Sequence, residues 1–342
     1  MAATRKFALG VDIGGTKVAA GLVDSGGTIV FQTRVPMPAR GTAAEGFAAV
    51  QAAIEAVFAA QPDARANLAG IGICAPGPLD PRTGVILNPP NVPCWRNFPL
   101  AAEVQRVFGL SSCVDNDGNA AALAEAIWGA GVGYKNVFYA TLGTGIGTGI
   151  VFDRHIYHGR TGSAAEGGHV SIDYRGPVCG CGKRGCIEAL AAGPAIARRA
   201  RERVAATAPF APPSSPGSAH GTTSTPSKIL ALTGGDLDAI TAETIGEAYR
   251  QGDLLATQLL EETADLLAFW AGNIIDLLEP DVFLFGGGLA PLMSAFFPRI
   301  RQQLTHCCVN QRFAEIPVLL AKYGPDAGIA GAAALCRAWR EI

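Results

Sequence analysis

The residues best suited to chemistry cluster between Glu166 and Glu188, in the run EGGHVSIDYRGPVCGCGKRGCIE. Cys179, Cys181 and Cys186 form C-x-C-G-x-x-G-C, and His169 stands ten residues before the first of them. Three thiols and one imidazole are a complete tetrahedral set for structural zinc. Gly180, Gly182 and Gly185 let the backbone fold tightly around an ion. Four protein ligands leave no open position for a metal-bound water, so catalysis at such a zinc is not expected. A disulfide is the alternative use of two thiols, and the intracellular character of the flanking sequence argues against it. Glu166, three residues before His169, and Glu188, two after Cys186, put carboxylates on the rim of this knot.

Three glycine-rich turns could hold a nucleotide. In Asp12-Ile13-Gly14-Gly15-Thr16-Lys17, Gly14 and Gly15 let main-chain N–H groups approach phosphate oxygens, and Thr16 and Lys17 add donors. Asp12 suits Mg²⁺, held through water. An ordinary hairpin turn is the alternative. The second turn, Thr141 to Gly147, has Gly143, Thr144 and Gly145 at its tip. A dinucleotide fingerprint needs strand, turn, helix, whereas a strand follows these glycines. A Walker A loop is excluded for the same reason. The third turn, Gly286-Gly287-Gly288, follows a buried strand and precedes a helix, where an adenosine could lie against the backbone.

Asn116-Asp117 falls where a strand meets a helix. Asp115 or Asn116 could serve as an N-cap. Two aspartates flanking an asparagine exceed what a cap needs. A carboxylate here can accept the proton of a hydroxyl attacking a phosphoryl group, and Asp117 is preferred to Asp115 for that role. The remaining histidines, His155, His158, His220 and His306, read as surface or packing residues.

The elements that must position these groups follow from periodicity. Strands are expected over Lys6–Ile13, Val18–Val23, Thr28–Val35, Leu68–Cys74, Val85–Leu87 and Ser112–Val114. Helices are expected over Thr42–Ala60, Val104–Phe108 and onward from Asn119 to Trp128. Then the opening pattern returns: strand Asn136–Leu142, Gly/Thr turn, strand Thr148–Phe152, and a further turn at Asp153-Arg154-His155. This internal echo suggests two lobes, each offering a phosphate-loop hairpin to one nucleotide. Beyond the knot, helices are expected over Glu188–Ala206 and Thr241–Leu278, the latter with a break near Gly252. Strands Asp281–Phe285 and Ile316–Lys322 precede a closing helix, Asp326–Trp339, that packs back on the N-terminal lobe. Residues 209–227 read as a flexible Pro/Ser-rich insertion.

The 342 residues suffice for two domains, and the net charge of −2 offers no basic field for nucleic acid. The N-terminus lacks the apolar run of a signal peptide, and no stretch is expected to reach membrane-span length. The six cysteines outside the knot read as reduced buried thiols. A cytoplasmic protein without nucleic-acid or membrane partners is expected.

Together these residues resemble the ROK family of sugar kinases and related repressors, within the actin-like ATPase superfamily. The resemblance spans nearly the whole chain through DIGGTK, APGPLD, VDNDGNAAALAE, TLGTGIGTGI, EGGH, CGCGKRGCIE and FGGG, in the family's order. It implies an α/β, two-lobed actin-like ATPase (ribonuclease H-like) fold with duplicated βββαβαβα-type units and a cleft between the lobes. The small lobe would hold residues 1–117 plus 326–342, and the large lobe 118–325. It implies Asp117 as general base and Gly77, Asn116, Glu166, His169 and Glu188 as sugar contacts. His169 would then serve zinc with one ring nitrogen and face the sugar with the other. The nucleotide would meet Asp12, Gly14, Gly15, Thr16, Lys17, Gly143, Thr144, Gly145 and Gly287. The implied cofactors are structural Zn²⁺ and Mg²⁺ with ATP, and the implied assembly is a homo-oligomer, dimer or tetramer. The implied activity is phosphorylation of glucose at its 6-hydroxyl. An N-acetylhexosamine kinase is the first alternative. A sugar-responsive repressor is the second, disfavoured because the first core strand leaves no room for a DNA-binding segment.

Overall fold

The structure is a computed structural model that describes residues 6–207 and 227–338. β1 (Phe7–Ile13) runs out to the Asp12 turn, β2 (Lys17–Asp24) returns antiparallel to it, and β3 (Ile29–Pro36) pairs on the far side of β2. α1 (Ala43–Ala60) is opened by a capping box between Thr42 and Glu45, which satisfies two N-terminal donors reciprocally. β4 (Leu68–Ala75) pairs parallel with β1 and is buried at every position, as a strand covered on both faces must be. A two-strand ribbon, β5 (Leu79–Asp80) and β6 (Val85–Ile86), and helix α2 (Leu100–Phe108) lead to β7 (Ser112–Asn116), parallel to β4. α3 (Asp117–Trp128) leaves directly from the end of β7.

The second sheet repeats the first. β8 (Asn136–Leu142), β9 (Ile146–Phe152) and the short β10 (His155–Ile156) form the same antiparallel set. The knot segment passes into α4 (Ile187–Ala191) and α5 (Gly193–Thr207), and α6 (Lys228–Leu232), α7 (Ala242–Arg250) and α8 (Leu254–Leu278) follow. β11 (Val282–Gly286) pairs parallel with β8; α9 (Ala290–Met293) and α10 (Phe297–Cys307) lead to β12 (Val318–Leu320), parallel to β11. The orders are β3-β2-β1-β4-β7 and β10-β9-β8-β11-β12, so the internal echo is a duplicated topology.

α11 (Ala327–Ala338) crosses back onto the first sheet and also packs on α3. Contact is close enough to require glycine. A Cβ on Gly72 of β4 would stand 1.7 Å from the Ala332 carbonyl oxygen, and one on Gly10 of β1 would stand 2.0 Å from that of Ile329.

Several expectations need correction. The helix expected over Glu188–Ala206 breaks at Ala192, which is extended (φ −70°, ψ 162°). Pro194 has no N–H to continue the ladder, and the Gly193 N–H is drawn to the Gly143 carbonyl at 2.9 Å. The helix after Gly288 comes in two pieces, and β12 is shorter than Ile316–Lys322. β6 falls within the strand expected over Val85–Leu87, whereas its partner β5 was not foreseen, because two residues carry no period. One helix, Ala43–Ala60, does reach membrane-span length and hydropathy. Its Val50, Ala53, Ile54 and Val57 are wholly buried in the first lobe's core. The insertion expected over 209–227 lies outside the described residues, except Ser227, which caps α6.

Candidate active site

Two cavities meet between the sheets. The first, about 1160 Å³, is walled by Asp12, Gly14, Gly15 and Thr16 from the β1–β2 turn, by Asp117, and by Thr144 from the β8–β9 turn. The second, about 960 Å³, is walled by Gly143, Thr144 and Gly288, with Arg201 of α5 and Thr241, Glu243 and Tyr249 at and in α7. Thr144 lines both. The equivalent turns of the duplicated sheets thus converge on one space, because β1 and β8 are the central antiparallel partners in each sheet.

Asp117 opens α3. Asn116 is the N-cap, and its Oδ1 accepts the Gly118 N–H at 2.9 Å; Asp117 Oδ1 accepts the same N–H at 2.8 Å. Solvent reaches the Asp117 side chain through the cleft. The cleft walls still exclude part of its hydration. That desolvation pushes its pKa up to about 6; the Gly118 hydrogen bond opposes the shift and the charges of Asp12 and Glu166 add to it. Asp12 is also held above its ordinary value, chiefly by burial, with Cys74 donating to it at 3.4 Å and Lys17 and Arg34 offsetting the rise. Asp12 and Asp117 line the same cavity, where the first could hold a hydrated cation once ionised and the second, with its raised pKa, could accept a proton.

Gly77 adjoins Asn116: a Cβ on it would lie 3.7 Å from Asn116 Nδ2. Glu166 is exposed at the end of the loop that leaves β10. The residue before it, Ala165, has φ of 65°, a left-handed conformation costly to any residue with a Cβ. The Thr148 hydroxyl holds this kink by donating to the Ala165 carbonyl and accepting the Gly167 N–H at 2.8 Å. Trp270 of α8 donates to the Gly167 carbonyl at 3.0 Å.

His169, Cys179, Cys181 and Cys186 bring one ligand atom each within 4.8 Å of one another. The Cys181 and Cys186 sulfurs are 3.7 Å apart, and Cys179 Sγ is 3.5 Å from His169 Nδ1. A tetrahedral zinc with bonds of about 2.3 Å to sulfur and about 2.0 Å to nitrogen has edges of about 3.8 Å between sulfurs and about 3.5 Å between sulfur and nitrogen. The donor set therefore fits zinc, and His169 presents Nδ1 to the thiols, leaving Nε2 for another partner. All three cysteines are free thiols, against the disulfide alternative.

Glu188 has one oxygen, Oε1, 3.8 Å from His169 Nδ1. The other, Oε2, accepts the Ile146 N–H of the β8–β9 turn at 3.0 Å. No local pattern pointed to this second bond. Gly145 must lack a side chain for it, since a Cβ there would fall 2.6 Å from Oε2. Of the nucleotide-turn residues, Lys17 is exposed and lines neither cavity. Gly288 rather than Gly287 faces the second cavity; Gly287, at φ 83°, packs against Thr141 and Leu142. The walls from α5 and α7 were not foreseen. His158, read from sequence as a surface or packing residue, instead meets Asp115 at 2.6 Å.

The chain is 35% identical to a glucokinase of Streptomyces coelicolor over 96% of this chain and 97% of that one. It is 31% identical to a glucokinase of Thermotoga maritima over 96% of each. Its fold matches the crystal structure of a ROK family glucokinase from Streptomyces griseus, solved with glucose and AMPPNP. The TM-score is 0.78 at 35% identity, covering 97% of this chain and 99% of that one. The fold is therefore the two-lobed actin-like ATPase fold. With the ROK family model matched from residue 8 to residue 338, the chain belongs to the ROK family.

Proposed function

We propose that this protein is an ATP-dependent hexose kinase that converts glucose to glucose 6-phosphate. The observation that carries the reading is the shared wall: Thr144 lines both the cavity that holds Asp12 and Asp117 and the cavity walled by α5 and α7. A donor with its nucleoside in the second cavity and its phosphates at the two turns would reach a sugar in the first.

In this reading Asp117 is the general base. It takes the proton of the sugar 6-hydroxyl as that oxygen bonds to the terminal phosphorus, and the bond from phosphorus to the bridging oxygen breaks to release ADP. Mg²⁺ arriving with ATP would neutralise the phosphates near Asp12. Gly77, Asn116, Glu166, His169 and Glu188 orient the sugar. Gly14, Gly15, Thr16, Gly143 and Thr144, which line the two cavities, serve the nucleotide, with Gly288 in the place expected of Gly287. His169, Cys179, Cys181 and Cys186 hold a structural zinc, which would fix the tautomer and direction of the imidazole. The lobes are residues 1–117 with 326–342, and 118–325, and their closure excludes water. The enzyme acts in the cytoplasm as a homo-oligomer.

The test is turnover with ATP on glucose, mannose, fructose, N-acetylglucosamine and N-acetylmannosamine, with the products identified. Glucose should have the highest kcat/KM and yield the 6-phosphate. Preference for an acetamido sugar would move the assignment to an N-acetylhexosamine kinase, and no turnover on any would refute it.

A further inference from the structure

Asp115, two residues before the proposed base, is only 4% exposed. Its Oδ1 accepts the Asn116 N–H at 2.7 Å and an Asn119 Nδ2 hydrogen at 3.0 Å. Its Oδ2 meets His158 Nε2 at 2.6 Å, the one ion pair Asp115 makes among the described residues. We infer that His158 is a positioning residue, which fixes the Asn116–Asp117 turn by holding Asp115 in place.

The physical reason is the cost of a buried carboxylate without a partner. Deprived of His158, Asp115 must turn toward water or take up a proton, and either weakens its grip on the Asn116 N–H. Asn116 in turn holds Gly118 through its own Oδ1 at 2.9 Å, so Asp117 sits between two residues that depend on Asp115. A displacement on the order of 1 Å at a reacting group costs about 100-fold in rate.

The other end of the bond matters as much. His158 begins the loop that ends at Glu166. That loop is anchored by the Tyr157 N–H on the Ile150 carbonyl at 2.8 Å and by the Ala164 N–H on the His158 carbonyl at 3.2 Å. β7 belongs to the first sheet and β10 to the second, so the bond ties the strand that leads into the base to the loop that ends at Glu166. The same hydrogen bond to Asp115 raises the His158 pKa above its ordinary value, which favours the charged form that the buried carboxylate needs.

This role rests on the kinase reading of Asp117; the positional effect does not, and two readouts separate them. In His158→Gln the amide can still donate at the Nε2 position, whereas His158→Leu cannot. The leucine variant should lower kcat by roughly 10- to 100-fold with KM for ATP within about twofold, and the glutamine variant should stay within about threefold of wild type. Backbone amide exchange at Asn116 and Gly118 should be at least about tenfold faster in the leucine variant and near wild type in the glutamine variant. If the leucine variant does not fold, His158→Asn, too short to reach Asp115, repeats both measurements. Unchanged exchange at the two amides overturns the inference, as does equal loss of kcat in the glutamine and leucine variants. A wild type inactive on every sugar overturns the kinase reading, and amide exchange then decides the positioning role alone.

Discussion

The carboxylate of Glu188 accepts the Ile146 N–H at 3.0 Å with one oxygen and stands 3.8 Å from His169 Nδ1 with the other. A residue on the metal knot therefore braces the turn that carries Gly143, Thr144 and Gly145. In the proposed function the sugar and nucleotide subsites would share this side chain. Glu188→Ala should raise KM for both sugar and ATP, by roughly tenfold or more for sugar and a few-fold for ATP, given the usual worth of a hydrogen bond to a charged group. Steady-state kinetics with each substrate varied would show it, and an unchanged KM for ATP would break the link.

Loss of the metal should act through the same path. Cys181→Ser should lose bound zinc, read by metal analysis, and weaken sugar binding by roughly 10- to 100-fold, the scale for disturbing an oriented metal-bound histidine. Nucleotide binding should weaken less, because Ile146 loses only a brace. Equal loss of both ligands would mean that the knot merely holds the fold together.

Asp117→Asn should lower kcat by about two or more orders of magnitude. The fold should survive. Surrounding protein already disfavours the charged carboxyl, whose pKa stands at about 6 rather than 3.8. A neutral amide of the same shape removes that penalty, so Tm should hold or rise. Wild-type turnover in the folded variant would remove Asp117 from the mechanism.

The pH dependence has a definite sign. Asp117 must be ionised to accept a proton, so kcat/KM should fall about tenfold per unit below a pH of about 6. Stability should move the other way. A carboxyl whose folded pKa is raised binds its proton more tightly in the folded state, so this group's contribution to stability declines as pH rises from about 4 to about 6. A pH–rate profile with no acid limb would contradict the assignment of the base, and a limb near 4 would mean that the cleft leaves this carboxyl at its ordinary value.

Gly72→Ala should destabilise the protein by about 3 kcal/mol or more, since the added Cβ would meet the Ala332 carbonyl oxygen at 1.7 Å and backbone cannot yield cheaply. Thermal melting should show Tm lowered by at least about 5 °C. An unchanged Tm would mean that α11 can move off β4.

The sequence alone settled whatever depends on residues near one another in the chain. The alternating strands around the two Gly/Thr turns predict hairpins, the Cys179-x-Cys181 spacing predicts clustered thiols, and Asn116 before Asp117 reads as a helix start. The repeated order of those signals was enough to expect a duplicated sheet. Only the tertiary structure decided which distant residues touch. Ile146 and Glu188 lie 42 residues apart, and Asp115 and His158 lie 43 apart. Neither pair leaves a periodic trace, because a single side-chain hydrogen bond imposes no pattern on the segment between its partners. The nucleoside-sized cavity behind Thr144 is likewise walled by α5, α7 and Gly288, which are brought together by sheet topology and helix packing, and those act over the whole chain.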